Sequence, residues 1–444
     1  MRILIVTAGS HGDVHPFLGI GRAIRSLGHD AIVMTNPYFE PDVLGAGLEF
    51  RPHGEHIDLP TFIREKNLMH PVLGPLNVFR WLFRAAPGLI EEFDRALTDL
   101  RPDAVLHHSI CLGTRWVCQK RGVPHAAAAL QPSIWFSAHD PVPAMQMEPG
   151  EGAARTARRM GRAFAPIGGA ISSWTINRLR LRCGFPKVPR ALLAEFRGGD
   201  VALGLWSPEF RAPMPDDPAG ARITGFPFYD AAPMRACPPA VERFLDEGEA
   251  RGDRPIVFAL GTTAIHVAGE FYRHAAEACR LLGRRGLLLV GRSENVPVRL
   301  PSGVIAAEYA PFSAVLPRAA CSVVHGGIGS TAQALAAGRA TLVAPVSHDQ
   351  FNNGVRVERL GVGRTLGRRR LTVERLVQAI RACVDDPAIA ARAMELGARL
   401  RGEDGSAKAA EVVLGLPSGG AGDASVGRAA GVGAAASAGD AVGV

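Results

Sequence analysis

The residues of this 444-residue chain best placed to do chemistry fall into a few short clusters. His325, Gly326, Gly327, Gly329 and Ser330 sit where an apolar run, Ser322–Val324, gives way to a helical pattern. A strand-to-helix junction leaves backbone N–H groups unpaired at the positive end of a helix dipole, which suits a phosphate or diphosphate. Further on, Asp349, Gln350 and Asn353 open a second helix. A carboxylate accepts from hydroxyls, and an amide both donates and accepts. That pair suits whatever the phosphate carries, so the whole segment reads as a nucleotide-sugar site. Two more turns follow strand-like runs: Gly261-Thr262-Thr263 and Gly9-Ser10-His11-Gly12-Asp13.

The last of these turns offers a base. If a sugar held at such a site were moved to a hydroxyl, that hydroxyl's proton would have to be removed as the anomeric carbon is attacked. An ordinary carboxylate is ionised at neutral pH but is a modest base, so it takes the proton late, as the attacked oxygen becomes acidic. Asp13 is the favoured candidate, and His11 and His15 on either side are alternatives. A helix-capping role for Asp13 before Pro16 is the competing reading. The HxxxH spacing of His11 and His15 resembles a metal pair. A turn and Pro16 are expected to interrupt the helix such a pair would use, so no metal is expected.

These clusters need a frame. Arg2–Ala8 reads as a strand, with Pro16 in the first turn of a helix that runs to Leu27. Further strands are expected at Ala31–Thr35, Leu48–Arg51, Asp103–His107, His125–Ala129, Val201–Leu205 and Arg222–Thr224. A Pro/Ala-rich linker follows. A second series then runs Pro255–Leu260, Gly286–Val290, Val304–Ala306, Cys321–Val324 and Thr341–Ala344. Helical patterns close the chain at Thr372–Val384, Pro387–Arg401 and Ser406–Leu414. Strands alternating with helices predict an α/β chain with parallel sheets. Ligands of such sheets bind beyond the carboxyl ends of the strands, where all three turns lie. The expected division is a first domain over 1–225, a linker over 226–250 and a second domain over 251–415. The last helices are expected to pack back on the first domain. Residues 416–444, rich in glycine and alanine, are expected to be a disordered tail.

Neither GxGxxG nor GK[ST] is present, which disfavours a hydride-transfer enzyme or a P-loop ATPase. The HGGIGS…HDQFNN pattern instead resembles the donor-binding signature of family 1 glycosyltransferases. The opening GSHGDVHPF resembles their bacterial members. GFPFYD and YAPFSAVLP look most like rhamnosyltransferases of glycolipid biosynthesis, and macrolide and sterol glucosyltransferases share the frame more loosely. The resemblance implies the GT-B fold, two Rossmann-like domains facing across a cleft. It implies inverting, metal-independent transfer from a UDP-glucose or dTDP-rhamnose type of donor, with no cofactor beyond that co-substrate. His325 would then bond the α-phosphate. Gly327, Gly329, Ser330 and the Gly261-Thr262-Thr263 turn would hold the diphosphate. Asp349 and Gln350 would read sugar hydroxyls, and Asn353 would reach the β-phosphate. Tyr309 would stack on the base and Ala310 would pair with its edge. Two departures stand out. Gln333 replaces the glutamate that many relatives use on the ribose hydroxyls, which removes charge assistance. Asp13 stands where plant-type members place a histidine base. A nucleotide-sugar epimerase and a catalytically silent partner protein are the alternatives on the same fold.

Aromatic residues gather in two less regular stretches: Phe62, Phe79, Trp81 and Phe83, then Trp135, Phe136 and Trp174. Either they pack helices or they line an apolar pocket for a hydrophobic acceptor such as a lipid, sterol or polyketide-like aglycone. The net charge is +8, but no nucleic-acid-binding pattern accompanies it. Arg155, Arg158, Arg159 and Arg162 form either a solvated helix face or a contact for membrane or an anionic acceptor. The seven cysteines are scattered without CxxC spacing, so neither a disulfide framework nor a zinc site is expected. No apolar run is long enough to cross a bilayer. A cytoplasmic protein is expected, with peripheral membrane contact as the alternative.

Overall fold

The computed structural model describes residues 1–70, 73–140, 142, 169–229, 236–367 and 371–417. The arginine cluster at 155–162 and most of the 416–444 tail lie outside them.

Two sheets organise the chain. The first has seven strands: β1 (Arg2–Val6), β2 (Asp30–Thr35), β3 (Glu49–Pro52), β4 (Ala104–His108), β5 (His125–Ala129), β6 (Val201–Gly204) and β7 (Arg222–Ile223). Their order is β3-β2-β1-β4-β5-β6-β7. The second has six: β8 (Ile256–Ala259), β9 (Gly286–Leu289), β10 (Val304–Ala307), β11 (Cys321–Val324), β12 (Ala340–Val343) and β13 (Gly363–Thr365). Their order is β10-β9-β8-β11-β12-β13. Every pairing is parallel. The central strands read as unbroken apolar runs, such as Ile3–Val6 and Ile256–Ala259, because helices bury both faces.

The strand order reverses between β1 and β4 in one sheet and between β8 and β11 in the other. Crevices at such switch points are where open α/β sheets bind ligands. Gly9–Asp13 follows β1, Gly261–Thr263 follows β8 and His325–Ser330 follows β11. Val324 pairs with Ala259, which sets the last two turns at one level.

The first helix differs from its expected form. It runs His11–Ser26, so the turn is only Gly9 and Ser10, and Pro16 lies inside the helix. Proline at that point removes one backbone bond, to the Gly12 carbonyl. Burial of Val14, Phe17, Leu18, Ile20 and Ile24 offsets the loss. β13 has only three residues, too few for a periodic signal, and was not expected. The stretch from Thr61 is helical rather than irregular, with helices at Leu59–Glu65 and Leu73–Leu100. Within the segment read as a linker, Pro239–Ala250 is a helix. Its Val241, Phe244 and Leu245 are buried with strands of the second sheet.

The aromatic residues divide. Trp135 is wholly buried, edge-on to Trp206 with ring centroids 4.6 Å apart. Phe62 packs on Trp81 at 5.3 Å. Phe79 and Trp174 are exposed. The last helix, Gly405–Leu414, buries Ala409, Ala410 and Val413 in one cluster with Phe17 and Ile20 of the first helix. The described cysteines are all free, and most are buried. No helix among the described residues is long and apolar enough to cross a membrane.

Candidate active site

Asp13 occupies the third position of the first helix. Its Oδ2 accepts from the Ser10 backbone N–H at 2.7 Å and from the Ser10 hydroxyl at 2.9 Å. This is the acidic half of a capping arrangement, so the capping reading and the chemical reading coexist on one carboxylate. Gly9 makes the fit possible. It has φ +121°, and a Cβ there would lie 2.5 Å from Asp13 Oδ2. The charge of Asp13 reaches in two directions. Within its own half it acts on His108 and Cys111, at the end of β4. Across the cleft it acts on His348 and Asp349. The turns after β1 and β12 therefore face each other.

His325 is buried, and burial pushes its pKa down to about 4. Its ring lies between two glycines. A Cβ at Gly261 would stand 2.4 Å from Cε1, and one at Gly327 would stand 2.5 Å from Nε2. The threonine turn and the glycine-rich turn thus meet through this imidazole. Ser330 donates its hydroxyl to the Gly327 carbonyl at 2.9 Å and lies 3.4 Å from His325 Nδ1. Gly329 has open space where a side chain would be. Thr262 is exposed, and Thr263 is half-buried.

Asp349 is half-buried at the start of the Gln350–Arg359 helix. Burial, with the Asp13 charge adding to it, pushes its pKa up to about 7, while a hydrogen bond from Asn353 opposes the rise. Gln350 is almost fully buried, and its Oε1 accepts from the N–H groups of Val346 (2.8 Å) and Ser347 (3.0 Å). Only its Nε2 end remains for a further partner. Asn353 is wholly buried, and its Nδ2 donates to Gly326 O (2.9 Å) and Asp349 Oδ2 (2.7 Å). Both amide protons are used, so none is left for a β-phosphate. Asn353 acts here by holding the glycine turn to Asp349.

Tyr309 is half-buried in a groove with Pro238, Val241, Leu300 and Ala306, and Ala310 is buried beside it. Gln333 lies half-buried in the second turn of the Ile328–Ala336 helix. His11 and His15 share one face of the first helix, with ring centroids 5.2 Å apart.

Other contacts were not visible in the sequence. His348 adopts φ +57° and its Nε2 lies 2.8 Å from Leu68 O, while Ser347 donates to His70 O at 3.2 Å. Asp140 of the first half accepts from Arg356 of the second at 2.6 Å and lies 3.5 Å from Arg211. All three side chains are buried. His348 adjoins Asp349, which was a usable hint; the Asp140 contact had no local signal.

The arrangement sets two parallel α/β units against each other, with the Asp13 carboxylate on the first and the glycine-rich turn around His325 on the second. Comparison with known proteins bears on the family and the fold. The family described as erythromycin biosynthesis protein CIII-like, C-terminal domain, matches residues 289–416. O-mycaminosyltylonolide 6-deoxyallosyltransferase of Streptomyces fradiae is 30% identical over 433 residues, covering 91% of this chain and 95% of the relative. The crystal structure of the glycotransferase of kitacinnamycin superposes with TM-score 0.69 at 22% identity, over 93% of this chain and 98% of the other. Spinosyn rhamnosyltransferase SpnG complexed with thymidine diphosphate gives TM-score 0.66 at 18% identity, over 93% and 100%. The fold is GT-B. The chain belongs to the family 1 glycosyltransferases of the erythromycin CIII-like type. It is a glycosyltransferase.

Proposed function

We propose that the chain moves a hexose or deoxyhexose from a nucleoside-diphosphate sugar to a hydroxyl of a hydrophobic acceptor, with inversion at the anomeric carbon. The acceptor oxygen bonds to that carbon as the bond to the diphosphate breaks. The acceptor proton passes to Asp13. The diphosphate leaves with its charge held by the start of the Ile328–Ala336 helix, His325 and the Gly261–Thr263 turn. Fixed dipoles placed where charge develops are the usual means of such stabilisation, so no metal is needed at the diphosphate. Asp349 and Gln350 orient the sugar.

The observation that carries this reading is the meeting of the Gly261–Thr263 turn and the glycine-rich turn around the His325 ring, at the switch point of the second sheet. The donor is proposed to be of the dTDP-deoxyhexose type, with UDP-glucose as the alternative. The names of the S. fradiae relative and of the thymidine diphosphate complex support it. An uncharged Gln333 in place of glutamate fits a donor whose sugar lacks one ribose hydroxyl. Polyketide-like aglycones are the favoured acceptors, on the same relatives.

The test is thermal shift against dTDP-, UDP- and GDP-sugars, followed by turnover with macrolide and sterol acceptors and NMR of the product. Stabilisation by a dTDP-sugar and an inverted anomeric centre are expected. Retention of configuration would sink the direct-displacement mechanism. Stabilisation by GDP-sugars alone would sink the donor assignment.

A further inference from the structure

We propose that His11, His15 and Asp42 form a binding site for a divalent transition metal of the zinc class, on the flank of the helix that carries Asp13. The sequence alone argued against a metal, because a turn and Pro16 were expected to break the helix between the two histidines. The helix instead begins at His11 and continues through Pro16 to Ser26. Residues four apart on a helix lie one above the other, so both imidazoles project from one face. Asp42 comes from a separate helix, Glu40–Gly45, delivered by the turn after β2.

The geometry suits an ion. One donor atom from each residue can be chosen so that all lie within 4.8 Å of one another. His15 Nε2 and Asp42 Oδ1 are 3.5 Å apart. Two donors on a tetrahedral zinc, each about 2.0–2.1 Å from the ion, sit about 3.3 Å apart. That pair is therefore already at bridging separation, and His11 supplies the third donor within the 4.8 Å span. The same 3.5 Å is long for a charge-assisted hydrogen bond, which prefers about 2.7–2.9 Å.

The surroundings hold the rings in place. Tyr38 and Phe39 pack edge-on against His11 at 5.8 and 5.1 Å, and Tyr229 packs against His15 at 5.2 Å. Two imidazoles and one carboxylate select zinc, cobalt or nickel over magnesium or calcium, which prefer all-oxygen sets. Three protein donors also leave a coordination position open. An ion here ties the Pro37–Gly45 segment to the first turn of the catalytic helix. It is separate from the diphosphate cradle, which lies on the other wall of the cleft.

The test uses the full, tag-free chain stripped of metal with a chelator. Titration with Co²⁺ should give visible d–d absorption saturating at one equivalent, displaced by Zn²⁺. Zn²⁺ should raise the melting temperature and Mg²⁺ should not. Asp42→Asn and His15→Ala should each weaken Co²⁺ binding by roughly ten-fold or more, the scale on which loss of site residues acts. Asp42→Asn is nearly isosteric and decides the matter if His15→Ala fails to fold; donor-dependent thermal stabilisation reports that the variant is native. Absence of saturable Co²⁺ binding overturns the proposal. So does binding that both variants leave unchanged, because the ion then sits elsewhere.

Discussion

In the proposed reaction Asp13 has two tasks, capping and proton acceptance, and its two oxygens would divide them. Oδ2 is committed to Ser10; Oδ1 accepts no hydrogen bond among the described residues and is the atom proposed to take the acceptor proton. Asp13→Asn keeps an oxygen for Ser10 while removing the base. Transfer should fall by roughly 100-fold or more, the usual scale of a general base, with donor-dependent thermal stabilisation intact. Full activity would sink the assignment. Asp349 supports a second prediction at this scale. Its pKa of about 7 stands above the ordinary carboxylate value, so below that pH the free protein favours the protonated form, and stability from this group is lost as pH rises toward and through 7. Sugar hydroxyls donate to the ionised form. Donor affinity should therefore increase from pH 6 to 8, by up to about ten-fold per unit below the pKa. The Asp349→Asn variant should lack this rise, and calorimetry of both proteins over that range checks it. Residue types were legible in the sequence. Asn353 shows what was not: its type fits a phosphate contact, but burial commits both its amide protons to the protein itself.

At the scale of elements, the glycine-rich turn needs its glycines because the imidazole of His325 fills the space that two side chains would occupy. Gly327→Ala places a methyl group 2.5 Å from Nε2, and the ring must move. Donor-dependent thermal stabilisation should be lost, as it should be in His325→Ala, while circular dichroism stays unchanged. A variant that binds donor normally would show that the ring position is not what the diphosphate reads. The strand-turn-helix pattern behind this turn was readable, because a buried apolar strand followed by glycines has few other interpretations. The start of the first helix was not. Pro16 favours the first turn by its fixed φ, and the sequence carries no sign that the Ser10–Asp13 bonds and the burial of Phe17 outweigh its missing N–H. That one misplacement also hid the shared face of His11 and His15. β13 failed for a different reason: its pairing with β12 is decided by the sheet edge, not by its own residues.

At the scale of the whole molecule, the two halves are joined by a charge cluster inside the interface. Asp140 is the carboxylate between Arg211 and Arg356, and Arg211 is also paired with Asp217. Burial lowers the pKa of Arg356, and the Asp140 carboxylate opposes that. A buried pair of this kind adds little over a well-packed apolar substitute, but breaking it by removing one partner is costly, about 3–5 kcal/mol. Asp140→Asn leaves Arg356 charged, buried and without a carboxylate. Its loss should be read in denaturant unfolding as a lower midpoint, with the second half separating first and a two-step curve replacing a single transition. Replacing both partners with apolar residues, Asp140→Leu with Arg356→Met, should recover most of that loss, because no charge is then stranded. The double variant should also test closure. If the cluster holds the halves at the distance that sets Asp13 against Asp349, the double variant will be stable yet slow in transfer, with a raised KM for the acceptor. If it transfers at the parent rate, the cleft is positioned instead by the Gly405–Leu414 helix packed on the His11–Ser26 helix, and substitutions at the Ala409 contact should reveal that.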